Sequence, residues 1–109
     1  MFPLNRFASF DPSFQVRSSK GNDAQVTTLC SLDQFHQGGM IFIKNKKYYQ
    51  RLLDKLQTGA ALNGVGVVFQ DSFFKTIKVE EDSGALERFA FYATVESVAL
   101  ALSRFSKLF

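Results

Sequence analysis

The stretch from Met40 to Phe69 constrains the fold of this chain more than any other part. It opens with the apolar run Met40 to Ile43. Asn45 follows, and then a segment from Lys46 to Leu56 in which Tyr49, Leu52, Leu53 and Leu56 recur at helical spacing. Asn is among the strongest N-cap residues, because its side-chain oxygen accepts from the free amides of a first helical turn. A helix is therefore predicted to begin directly after Asn45. Gly59 falls where a helix stop belongs, and Val65 to Phe69 is an apolar run short enough to be a buried strand. Strand, helix and strand in that order favour parallel pairing through a right-handed crossover, and so an α/β sheet.

The flanks add elements to this unit. Leu4, Phe7 and Phe10 predict a short helix that Pro12 limits, and residues 17–23 read as a surface loop. Val26 to Leu32 reads as a strand, closed by a turn at Gln37-Gly38-Gly39. Thr76 to Glu80 alternates as a strand does, Asp82-Ser83-Gly84 signals a turn, and Phe89 to Ala93 reads as another aromatic strand. From Thr94 as N-cap, the positions Val95, Val98, Leu102, Phe105 and Phe109 predict a helix over 95–109. The expected architecture is a small mixed β-sheet of about five strands flanked by helices, in one domain spanning 1–109. The 13 Phe residues, with no Trp, supply its core, since Phe buries apolar area without a polar atom that needs a partner. The last helix ends on Leu108 and Phe109 with no capping Gly, which leads us to expect a linker running into a further domain.

Charge and chemistry narrow the function. The 13 basic and 10 acidic residues leave a net charge of +3, which helps attract an anion but does not by itself argue for nucleic acid. Cys30 has no internal disulfide partner, no apolar run approaches the roughly 20 residues of a bilayer-spanning helix, and the first residues lack a secretory pattern. A reducing, cytoplasmic setting is expected. His36 is the one histidine and lies in a predicted loop, so neither a triad nor an imidazole metal site can be built around it. Cys30 reads as a small buried hydrophobe, and Glu80, Glu81 and Asp82 as a solvated turn. Gly64-Val65-Gly66 opens a strand where a dinucleotide fingerprint would close one, so it marks a bend or a close backbone approach. No catalytic residue, metal or cofactor is expected within the chain.

One patch remains. Lys44, Lys46 and Lys47 lie beside the rings of Phe42, Tyr48 and Tyr49, a mixture that serves a solvated helix start, a phosphate-binding edge or a single-strand nucleic acid platform. Phe42, Asn45 and Tyr48 are spaced Phe-x-x-Asn-x-x-Tyr across the strand-to-helix corner. Two rings could flank a planar base while the amide between them matches its edge, and uracil presents an imide N–H beside carbonyl oxygens. From the spacing alone, two core rings and a helix cap are the favoured reading.

The ungapped window from Ser31 to Tyr48 is similar to a signature in the amino-terminal domain of UDP-3-O-acylglucosamine N-acyltransferases. Gly21-Asn22-Asp23 with Val26, Phe91 to Ala93, and the helix bearing Leu102, Phe105 and Leu108 extend the resemblance over residues 21–109. Three departures stand out: Lys46 occupies the place of a usual Pro, the first helix over Leu4 to Phe14 is less regular, and the 71–88 segment is longer and more charged. The resemblance implies a fold like the amino-terminal domains of these enzymes and of Mur ligases. It implies that Phe42 and Tyr48 sandwich the uracil of a UDP-3-O-acylglucosamine-type nucleotide sugar while Asn45 bonds its edge, with Lys46 and Lys47 near the phosphates or sugar. In the family, a histidine in a following left-handed β-helix transfers the acyl group from acyl carrier protein, and that domain makes a homotrimer. His36 does not match that base, and this chain alone is expected to be a monomer. Two alternatives stay open, a non-catalytic module whose last helix docks a partner, and a single-strand nucleic acid binder.

Overall fold

The computed structural model describes residues 2–18, 24–57, 64–77, 86 and 88–108. The strands are β1 (Phe2–Pro3), β2 (Gln15–Val16), β3 (Gln25–Val26), β4 (Thr28–Leu29), β5 (Gly39–Ile43), β6 (Gly66–Gln70) and β7 (Phe91–Val95). The helices are α1 (Leu4–Phe10), α2 (Lys46–Gln57), α3 (Asp71–Phe74) and α4 (Val98–Phe105), the last followed by a 3-10 turn over Ser106–Leu108. A five-stranded sheet in the order β2-β7-β6-β5-β4 forms the centre, and β1 pairs with β3 in a separate two-stranded ribbon. The strands from β4 to β7 run parallel and β2 closes the edge antiparallel, so the sheet is mixed, as the sequence led us to expect.

Side-chain alternation along the three long strands sorts the core into two layers. Met40, Val68, Phe91, Ala93 and Val95 pack on one face with Leu4 and Phe7 of α1 and with Val98, Ala101 and Phe105 of α4. Ile41, Ile43, Val67, Phe69 and Tyr92 pack on the other with Tyr49 and Leu52 of α2. Strands covered on both faces read as continuous apolar runs, which is why β5 and β6 were visible in the sequence. Four rings knit the first layer: Phe105 lies 4.8 Å from Phe7, 5.9 Å from Phe14 and 6.3 Å from Phe42 between ring centroids.

Several expectations need correction. Val95 belongs to β7, and the last helix starts three residues later: Ser97 is its cap, its hydroxyl accepting from the Leu100 N–H at 3.3 Å. Leu102 points to solvent, and Ala101 takes the buried place beside Phe105. The expected strand from Val26 to Leu32 splits between β3 and β4, which belong to different sheets. Thr76 and Ile77 lie in the turn after α3, a helix the pattern did not reveal; the rest of the expected 76–80 strand, the Asp82 turn and Gly59 fall outside the described residues.

Candidate functional site

The carboxyl ends of β5, β6 and β7 share one edge of the sheet, and α2, α3 and α4 start there. In parallel α/β sheets that edge is where ligands bind. The sequence motif falls on its β5 corner. Asn45 caps α2: its Oδ1 accepts from the Tyr48 N–H at 3.3 Å and its backbone carbonyl accepts from the Tyr49 N–H at 3.1 Å. Asn45 is exposed and Tyr48 half-buried, so an amide and an aromatic ring one helical turn apart face solvent together.

Phe42 stands apart from them. Strand alternation sends it to the α4 layer, where its half-buried ring lies against Phe105, while Tyr48 borders the α2 layer. The structure brings Asn45 and Tyr48 together but does not make Phe42 and Tyr48 the two walls of one slot. The reason is geometric: α2 covers the Ile41 and Ile43 face, and Phe42 points the other way.

Cations crowd the Tyr48 ring. Lys44 Nζ lies 5.5 Å from its centroid and the Arg51 guanidinium carbon 5.9 Å, while Lys55 Nζ sits 5.8 Å from the Phe35 ring. Arg51 also pairs with Asp33 of the loop before β5. Lys46 and Lys47 are exposed on the first turn of α2, and Lys46, two residues from Tyr48, projects from the opposite side of the helix. Sequence placed Lys44 in the patch beside Tyr48 but did not single out Arg51, for which the three-residue spacing from Tyr48 on α2 was the available signal.

A cleft of about 560 Å³ opens elsewhere, between the turn after α1 and the start of α4. Its polar groups are largely committed to one another. Asp11 Oδ1 accepts from the Ser13 N–H at 3.0 Å and from the Ser13 hydroxyl at 2.6 Å, and lies 3.5 Å from Arg104. The Ser13 hydroxyl accepts from the Glu96 N–H at 2.9 Å. These bonds tie the end of α1 to the end of β7, so the cleft reads as a structural junction. Among the described residues, no group of three metal-ligating side chains converges and no helix is long and apolar enough to cross a membrane. His36 is exposed, with Nδ1 3.1 Å from the carbonyl oxygen of Gln37. No family model, curated protein or solved structure matches the chain.

Proposed function

We propose that the chain recognises the uridine end of a UDP-3-O-acylglucosamine-type nucleotide sugar, as the recognition domain of an N-acyltransferase of lipid A synthesis. The observation that carries the reading is the pairing of Asn45 and Tyr48 at the carboxyl end of β5. The cap bond holds the amide at a fixed place beside the half-buried Tyr48 ring, which lowers the ordering cost of presenting both to a base once the cation over the ring moves aside. The base stacks on Tyr48 and Asn45 bonds its edge. For Phe42 to serve as the second wall its ring has to leave Phe105 and swing around the end of β5, because its Cβ points to the α4 face of the sheet. Anchoring the nucleotide far from the reacting amine supplies orientation, with the acyl transfer from acyl carrier protein left to a catalytic domain.

The test is an NMR titration of the chain with UDP-N-acetylglucosamine, with adenosine diphosphate as control and Asn45→Asp as the variant. Asp caps a helix as well as Asn does, so this variant keeps α2 while replacing the amide donor with a carboxylate. Shifts at Phe42, Asn45 and Tyr48 that are specific to the uridine ligand and absent in Asn45→Asp support the proposal. Silence at millimolar ligand, or an Asn45→Asp variant that binds as the parent does, rejects it. An equal response to both nucleotides with steep salt dependence would favour the single-strand nucleic acid reading, which the ring and cation contacts along α2 also fit.

A further inference from the structure

The chain segment 44–51 holds Lys44, Lys46, Lys47 and Arg51 and no acidic residue. Three of these cations stand at the start of α2, where the helix dipole favours negative charge and disfavours positive. Asp33 compensates Arg51 alone. The corner is therefore electrostatically unbalanced in a way that an anion corrects. Lys44 and Arg51 are the two cations that border the Tyr48 ring, each within 6 Å of its centroid.

We infer that Lys44 and Arg51 hold the diphosphate of a nucleotide seated at Asn45 and Tyr48, in place of Lys46. The inference rests on the proposed uridine reading for the position of the base. Lys44 and Arg51 both lie against the Tyr48 ring, so a base that stacks there displaces one of them. The long stem of Lys44 lets the ammonium leave the ring for a phosphate oxygen as the base arrives, exchanging an exposed cation–π contact for an ion pair. Arg51 is one turn further along the helix from the cap, and its planar fork suits two phosphate oxygens at once. Asp33 is the counter-ion it gives up or shares. Lys46, on the far side of α2 from Tyr48, contributes only long-range charge.

The experiment titrates the parent chain, a Lys44→Gln/Arg51→Gln double variant and Lys46→Gln with uridine, UDP and inorganic pyrophosphate, following backbone amide shifts. UDP should bind the parent about tenfold or more tightly than uridine. The double variant should reduce UDP to the affinity of uridine and abolish the pyrophosphate response, with uridine bound no more weakly than by the parent. Lys46→Gln should keep the ratio of UDP to uridine affinity. A double variant that preserves that ratio, or a Lys46→Gln loss of equal size, overturns the assignment. The two readings fail separately. If pyrophosphate binds through Lys44 and Arg51 but uridine does not bind, the phosphate site stands and the uridine reading falls; if uridine binds and UDP binds no tighter, the reverse holds.

Discussion

Gly66 offers a sharp test of how the sheet is built. It lies within β6, paired in register with Phe91 of β7, and a Cβ built on it would fall inside the contact distance of Phe91 Cε1 and Cζ. The Phe91 ring is 1% exposed and packed in the α4 layer, so it cannot swing into solvent to make room. Overpacking of this kind costs about 1–3 kcal/mol. Against that stands the stiffening of the unfolded chain by Ala, about 0.4–1 kcal/mol, which counts because the left-handed region holds only Gly38 among the described residues. The expected net loss for Gly66→Ala is about 1–2 kcal/mol, a fall of roughly 5–12 °C in Tm for a domain of this size. Urea denaturation followed by circular dichroism measures it, and a double-mutant cycle with Phe91→Leu assigns its cause. If the ring is the obstacle, the cost of Gly66→Ala shrinks in the Phe91→Leu background by at least about 0.5 kcal/mol. A Gly66→Ala protein as stable as the parent, or a cost that adds without coupling to Phe91→Leu, refutes the reasoning.

Phe105→Ala should cost about 3–5 kcal/mol, since a fully buried ring that meets three others is removed; chemical denaturation reads it. Asn45→Ala should lower stability by about 1 kcal/mol through loss of the cap, whereas Asn45→Asp should leave thermal unfolding close to the parent. Phe42→Leu keeps an apolar side chain of similar volume beside Phe105 and removes the ring. Its stability should change by less than about 1.5 kcal/mol, while uridine nucleotide affinity, measured by NMR titration, should fall about fivefold or more. Gly38→Ala should destabilise by about 1–2 kcal/mol in a thermal melt, because φ there is +86° and an added Cβ meets Thr27.

Long elements buried in a regular way were legible in the sequence. The helix from Lys46 is legible from its apolar period and its Asn cap, whereas Gly64-Val65-Gly66 reads as a bend or a close backbone approach and what comes close at Gly66 is the Phe91 ring. The strands β1 to β4 have two residues each, too few to show alternation, and are defined by what they pair with. The start of α4 was misplaced because Val95, Val98, Leu102 and Phe105 fit a helical period by coincidence; the β-branched Thr94 and Val95 and the Ser97 cap were the better guide. The separation of Phe42 from Tyr48 depends on which sheet face α2 covers. Local spacing carries no information on that choice, so the two rings looked like partners.

The cap of α2 also sets what Asn45 could read. A free carboxamide can flip and match either pattern of donor and acceptor, so an unconstrained Asn would not separate uracil from cytosine. Here Oδ1 is held by the Tyr48 N–H, and a flip would turn the NH2 group toward that donor. One lone pair of Oδ1 remains for an incoming N–H, and the amide nitrogen remains to donate. Uracil offers an imide N–H beside a carbonyl oxygen, which fits; cytosine offers a ring acceptor beside its amino group, which does not. On the proposed reading, the bond that starts the helix is thus also what makes the site prefer uridine, and UDP should bind more tightly than cytidine diphosphate. If the two bind equally while Asn45 shifts in both titrations, the amide is flipping, and the cap does not confer the selectivity assigned to it.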